Sequence, residues 1–407
     1  MESTDEQTGK YGLPLEVSYC KRCTISNQRP SSTVEFKNKK GEKKRTIAFD
    51  SEGICEACRY ADKKKEIDWE ERERELQELC DRFRRTDGKF DVVVPGSGGK
   101  DSVMAAHVLK YKYKMNPITI TWPPHVYTRV GRRNYDIWLK AGFANYTYWP
   151  NQQVHRVLTR LAFENLVHPF QPFIIGQKNL APKLSVMFDT PLVVFGENEA
   201  EYGNPVGDNQ KSTRDASFFS SDDSLEEIYL GGVSGKELME EYNFTRADLE
   251  AYTPLPSEDL ERVKTEVHYL GYYLPWHPQE TYYFSVENTD FLPNDFRTEG
   301  SYSKYSSIDD KIDWLHYYTT HVKFGIGRTT YDTAQEIRNG DITRDEGVRL
   351  IKRFDGEFPE MYLDDCLEYM QLSRDRFFEV IEEARTPHLW KEVSGEWQLR
   401  SPIWKKG

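Results

Sequence analysis

At 407 residues the chain is long enough for two or three domains of ordinary size. Hydrophobic residues make up 38% and charged residues 30%, the balance of a soluble globular protein, and no apolar run approaches the ~20 residues of a membrane span. With 67 acidic against 55 basic residues the net charge is −12. Neutralising nucleic-acid phosphates usually calls for a basic surplus, so the balance weighs against a nucleic acid as main partner and favours a small-molecule substrate.

The opening "MESTDEQTGK" is polar and acidic and lacks the apolar core of a signal peptide, so the expected location is the cytoplasm, with no membrane attachment. In that reducing setting the six cysteines point to metal binding rather than disulfides. Cys20 and Cys23 form one Cys-x-x-Cys pair, and Cys55 and Cys58 form another. Two such knuckles complete a tetrahedral four-cysteine site, which predicts a structural Zn2+ in a segment spanning 11–61. Gly53 suits the tight turn before the second pair, and "KNKKGEKKR" (37–45) reads as a solvated hairpin tip inserted between the pairs. A connecting helix follows over 62–85. Leu76, Leu79, Cys80 and Phe83 fall at i, i+3, i+4 and i+7, one apolar stripe that makes Cys80 a core residue.

From Phe90 short apolar runs alternate with helical segments. "FDVVV", "PITITW", "NYTYW" and "PLVVF" are strand candidates, with helices expected near 101–115, 131–141, 152–166 and 178–188. Near-continuous apolar strands between helices predict an α/β unit over 86–235 with a doubly wound parallel sheet. Residues 236–407 read as a mainly helical substrate or partner region, with helix starts at Thr343 and Ser373 and a long surface loop over 289–306.

The first strand runs into "PGSGGKDS". A loop between a buried strand and a helix offers unpaired backbone N–H groups and the positive end of a helix dipole, an anion site. The Walker pattern fails, because Val94 stands where its first glycine belongs and Asp101 where Ser or Thr belongs. The dinucleotide pattern fits Gly96 and Gly98 but meets Asp101 at its third glycine. A later strand ends in "VVFGENEAEYG", with Gly196, Glu197 and Asn198 at the end where open α/β sheets bind ligands. Farther on, Lys323 and Arg328 flank Gly325 and Gly327, two cations on a flexible segment of the kind a transferring phosphoryl group needs, with Asp332 and Arg338 nearby to position them or a sugar. The histidines, among them His125, His168, His277, His316 and His321, show no metal spacing and receive no catalytic role.

Ser97-Gly98-Gly99-Lys100-Asp101-Ser102 resembles the S-G-G-x-D-S loop of the ATP pyrophosphatases, the PP-loop superfamily. Cysteine pairs before that loop, then "FGENEAEYG" and "KFGIGRTTYDTAQEIRNGDITRDEG", make residues ~15 to ~365 similar to the N-acetyl sugar amidotransferases, amidinating enzymes of bacterial surface-polysaccharide and nonulosonic acid pathways. The resemblance implies ATP cleaved to AMP and pyrophosphate. An acetamido oxygen attacks the α-phosphate, and ammonia then displaces AMP to leave an acetamidino group. It implies that Ser97 to Ser102 hold the pyrophosphate, that Thr121 and Trp122 at the end of the second strand meet the adenine, that Gly196 and Asn198 complete the nucleotide site, and that Asp101 and Glu197 carry Mg2+. Asp101, Glu197, Lys323 and Arg328 are the expected catalytic set. No glutaminase machinery accompanies Cys80 or Cys366, so ammonia is expected from a separate glutaminase subunit, with an ammonia-channelling subunit as a further partner. A homo-oligomer is compatible with the sequence. The competing reading is a tRNA-thiolating enzyme, a class in which four-cysteine zinc sites also accompany this loop.

Overall fold

The apolar runs that follow Phe90 become strands of one parallel sheet. The computed structural model describes residues 8–202 and 211–405. Within them β1 (Val92–Pro95), β2 (Pro117–Thr121), β3 (Ala144–Thr147), β4 (Leu192–Phe195) and β5 (Glu266–Tyr269) lie side by side in the order β3-β2-β1-β4-β5. Every pairing in this sheet is parallel. Side chains alternate across β1, so Val93 enters one core with Ile118, Ile120, Val193 and Val267, while Val92 and Val94 enter another with Leu192 and Val194. Both faces of β1 and β4 are buried, which is why those two strands show no polar alternation.

Helix α1 (Glu56–Lys64) leads into α2 (Trp69–Phe83). α2, α3 (Lys100–His107) and α4 (Arg129–Lys140) cover one face, with Leu76, Leu79 and Cys80 buried there as their spacing predicts. α5 (Gln152–Leu166) and α6 (Gln171–Met187) cover the other. The chain adds β2 and β3 on one side of β1 and then returns to place β4 on the other. This reversal opens a crevice between the carboxyl ends of β1 and β4, where open α/β sheets take their ligands. The edge strand β5 lies past residue 235, so residues 196–265 form an excursion between two neighbouring strands.

The C-terminal region is mainly helical: α7 (Pro278–Thr289), α8 (Lys311–Phe324), α9 (Arg328–Asn339), α10 (Arg344–Phe354), α11 (Leu363–Met370) and α12 (Arg374–Ala384). Thr343 closes a capping box with Glu346, and the Ser373 hydroxyl accepts from the Arg376 N–H, so both predicted helix starts are capped as their residue types require. The cysteine knuckles pack on these helices, while Phe36 from the stretch between them enters the sheet core. Cys20, Cys23, Ile25 and Ile47 share a core with Phe324, Ile326, Ala334, Leu389 and Trp390, and the Thr24 and Thr333 hydroxyls meet at 3.0 Å.

Residues 289–306 are not a surface loop. Asn294, Thr298, Ser301 and Ser303 are buried. The Asn294 N–H donates to the Lys304 carbonyl at 2.7 Å, the Thr298 N–H donates to the Ser303 carbonyl at 2.9 Å, and Arg297 is held by Glu357 at 2.6 Å. Polar groups that satisfy one another fold inward without apolar side chains to announce it. The 37–45 insert does keep Lys39, Lys40 and Lys43 in solvent. Among the described residues no helix is long and apolar enough to cross a membrane.

Candidate active site and metal centre

A cavity of ≈ 560 Å³ opens at the carboxyl ends of β1 and β4. One wall is the sheet side, with Ser97, Gly98, Gly99, Lys100 and Asp101 after β1 and Glu197 and Tyr202 after β4. The loop after β1 turns sharply because Gly98 has φ +91, and a Cβ there would meet the Asn134 carbonyl at 2.8 Å. Gly196 lets the second loop press against the first, since its Cβ would lie 2.6 Å from the Asp101 carbonyl. That close approach brings Asp101 and Glu197 to one place. Asp101 accepts from the Lys100 ammonium at 2.6 Å and from the Trp276 indole N–H at 2.8 Å, which fixes its orientation. Burial and the charge of Asp101 push the Glu197 carboxyl up to about 7. Two carboxylates that face one cavity beside the Lys100 ammonium, with burial opposing the charge of Glu197, are a donor set a divalent cation relieves, so these residues fit Mg2+.

The other loop residues have structural duties as well. The Ser102 hydroxyl donates to the Gly99 carbonyl at 2.9 Å, and Ser97 donates to Asp309 at 3.0 Å, tying the loop to the opposite wall. Thr121 does not face the cavity: its hydroxyl donates to the Gly96 carbonyl at 2.7 Å and braces the loop from behind. Trp122 is buried against Gly176 and stacked on Tyr148, sharing a narrow crevice with Gly96, Ser97 and Gln177. Asn198 is turned away, donating to the Tyr60 hydroxyl at 3.1 Å. Gly203, at the end of the "FGENEAEYG" stretch, lies outside the described residues, as do residues 1–7.

The second wall comes from the C-terminal region. Asp313, His316, Tyr317 and Thr320 of α8, Arg328, Asp332 and Glu336 of α9, and residues 303 and 305–309 line the cavity. Arg328 bonds Asp332 at 3.0 Å and the Ser307 hydroxyl at 2.9 Å. Burial opposes its charge, but Asp332, Tyr317 and Asp313 outweigh that and hold the guanidinium cationic. Burial raises the Asp313 carboxyl to about 7 despite Arg328, and raises Glu336 to about 7. Lys323 is not part of this wall. Its ammonium donates to the Leu166 carbonyl at 2.6 Å, and burial pushes its pKa well down, so the glycine segment brings only Arg328 of the two expected cations to the cavity. Arg338 lines the cavity too and donates to the Glu201 carbonyl at 2.8 Å.

His316 is a residue the spacing rules missed. A usable signal was present: Asp313, His316, Tyr317 and Thr320 stand at i, i+3, i+4 and i+7, a polar stripe on a helix otherwise rich in buried apolar residues.

The cysteine reading fits the geometry. All four sulfurs are buried and lie within 4.8 Å of one another. Cys20 to Cys58 is 3.9 Å and Cys23 to Cys55 is 3.7 Å, close to the ~3.8 Å edge of a tetrahedron with Zn–S near 2.3 Å. Backbone N–H groups of Arg22 and Cys55 each point at the Cys20 sulfur at 3.4 Å, as thiolates require. The cluster is compatible with structural zinc. α1 starts at Cys55 and reaches the site loop, with Lys64 bonding Glu201 at 2.6 Å.

Fold and site together define an α/β protein with a ligand cavity at the reversal point of a parallel sheet, closed by a helical C-terminal region. Residues 299–402 match the family described as LPS biosynthesis protein WbpG-like, C-terminal domain. The matched stretch contains Asp309, Asp313, His316, Arg328, Asp332 and Glu336, so the part of the chain similar to that family is the part that supplies the helical wall. The chain is also similar to the uncharacterized protein MJ1599 of Methanocaldococcus jannaschii, at 32% identity over 77 residues. That similarity covers 19% of this chain and 27% of the relative, so the chain spans about a quarter of the curated protein it matches.

Proposed function

We propose that this protein is an ATP-dependent, AMP-forming amidotransferase of the PP-loop type that converts an acetamido group of an N-acetyl sugar to an acetamidino group. The observation that carries the reading is the meeting of Asp101 and Glu197 beside a glycine loop that starts α3, inside a cavity large enough for a nucleotide end and a sugar. An amide oxygen is a poor leaving group and AMP is a good one, so activation by adenylation makes attack by ammonia feasible. The N-terminus of α3 with Ser97 to Lys100 suits the departing pyrophosphate. Asp101 and Glu197 would hold Mg2+, which supplies charge neutralisation across the phosphates. Arg328, kept cationic and aimed by Asp332 and Ser307, faces the anionic transition state from the opposite wall. The match of the helical wall to a polysaccharide-biosynthesis domain supports a sugar as the acceptor. Ammonia comes from a separate glutaminase subunit, with a channelling subunit as a further partner.

The test is product analysis across a panel of nucleotide-linked and free acetamido uronic and nonulosonic acids, with ammonium present. AMP and pyrophosphate are the expected products, with ammonium but not glutamine as nitrogen donor to the single chain. ADP and orthophosphate would overturn the reading, and turnover with tRNA in place of a sugar would replace it with the thiolating one.

A further inference from the structure

His316 is the cavity end of a partly buried chain of titratable groups. Its Nδ1 lies 3.2 Å from Nδ1 of His168, and His168 Nε2 lies 4.0 Å from a carboxylate oxygen of Glu35. Glu35 is itself held by the Thr33 hydroxyl at 3.3 Å and the Asn38 amide at 3.4 Å. Phe170 stacks on His316 at 5.5 Å and fixes the plane of its ring. These residues come from three distant parts of the chain: the insert between the cysteine pairs, the turn after α5, and α8. A packing role needs histidine at neither position.

The protons can be assigned. Burial pushes both imidazoles well below the usual histidine range, and the cations facing them act the same way: Lys44, Lys323 and Lys178 around His168, and Lys44 and Arg328 around His316. Glu35 is the opposing charge. Each ring therefore carries one proton. The Glu35 carboxylate, 4.0 Å from His168 Nε2, is too distant for a direct hydrogen bond, but its charge favours the His168 proton on that nitrogen, which leaves His168 Nδ1 bare. The short contact between the two Nδ1 atoms then requires the His316 proton on Nδ1, and His316 Nε2 is left as a lone-pair acceptor. Among the described residues nothing bonds that nitrogen, and it is not sealed off in the core.

We propose that His316 is the base that converts ammonium to ammonia inside the cavity, with His168 and Glu35 as its positioning partners. This rests on the amidine-forming reading above. In the step, an N–H bond of ammonium breaks as His316 Nε2 takes the proton. The His316 Nδ1 proton passes to His168 Nδ1, and the resulting His168 imidazolium is stabilised by the Glu35 carboxylate, in the manner of an acid–histidine pair. Neutral ammonia, with its lone pair free, is left at the activated carbon.

Two experiments test this. First, on the panel sugar that releases pyrophosphate with the wild-type chain, activation is read before ammonium chloride is added and amidine formation after it. His316→Gln is expected to lower the ammonia step near neutral pH ~100-fold more than it lowers activation. That deficit should shrink at least tenfold in alkaline buffer, where free ammonia is abundant, and His168→Gln should show a smaller deficit with the same pH dependence. An unchanged ammonia step, a deficit of equal size at both pH values, or an equal loss of activation would each overturn the assignment. Second, nitrogen-15 spectra of the intact wild-type chain should show His316 as the Nδ1–H form and His168 as the Nε2–H form, and the reverse pair of tautomers would overturn it without any variant. If no panel sugar is activated by the wild-type chain, the amidine-forming reading fails and takes the role of His316 in ammonia delivery with it, whatever the tautomers.

Discussion

Compared with the helical wall of the cavity, the sheet wall is built from very little chain. Two short loops, one after β1 and one after β4, supply Ser97 to Asp101 and Glu197, and each is held by backbone contacts within the sheet. The helical wall gathers Asp313 and His316 from α8, Arg328, Asp332 and Glu336 from α9, and the inward-folded 303–309 segment, and it depends on the cysteine segment packed behind it. One wall is positioned by topology, the other by tertiary packing. If that division is real, damage to the two walls should be distinguishable.

The largest effect is expected at the sheet wall. Asp101→Ala should lower AMP formation at least ~10³-fold with the melting temperature little changed, because the loop's shape rests on Gly98, Gly196 and Thr121 rather than on the carboxylate. Unchanged turnover would remove Asp101 from the chemistry. Next comes the four-cysteine cluster behind the other wall. Cys55→Ser, or a strong chelator, should abolish stoichiometric zinc and cost several kcal/mol of stability, given the ~10–16 kcal/mol typical of structural zinc. The loss should appear first as disorder near α9, measured by hydrogen exchange. A chain that keeps its melting curve without zinc would break the comparison.

A smaller effect is expected for Gly98→Ala. Strain at φ +91 and the approach to the Asn134 carbonyl should cost about 1–2 kcal/mol and raise the KM for ATP ~10-fold, leaving the KM for the sugar alone. Equal changes in both KM values would mean that the walls do not divide the substrates. The smallest effect concerns pH. The Asp313 carboxyl is raised to about 7, so the folded chain binds its proton more tightly than the unfolded chain does. Its contribution to stability is complete below about pH 4 and is lost as pH rises through about 7. Asp313→Asn should flatten that part of the ligand-free melting profile, and an unaltered slope would contradict the assignment.

The same division explains what the sequence revealed. β1 and β4 were legible because burial on both faces leaves an uninterrupted apolar run, and β2 and β3 because of their β-branched and aromatic residues. The fifth, "EVHY", was hidden by Glu266 and His268, yet His268 is buried with its ring nitrogens on the Tyr273 hydroxyl at 2.8 Å and on Glu266 at 2.9 Å. Loop residues after β1 and β4 were legible because local spacing sets their positions. Thr121 and Trp122 were located at the correct strand end, but which face a side chain takes depends on register and neighbours that one sequence does not display. Lys323 illustrates the limit on the helical side: two cations five residues apart across a left-handed Gly325 end up on different surfaces. The 289–306 segment was misread because a polar stretch that satisfies its own hydrogen bonds looks in sequence like one that satisfies them with water.

The packing of the cysteine segment has a bearing on biosynthesis of the chain itself. Its core partners Phe324, Ala334 and Trp390 are translated long after Cys58, a delay of tens of seconds at ~5–20 residues per second. Through that interval a segment of this size has no adequate apolar core of its own. Early metal capture on the ribosome would hold the knuckles closed until the distant helices arrive, so an ion bound there would act as a place-keeper during translation before it braced the finished fold.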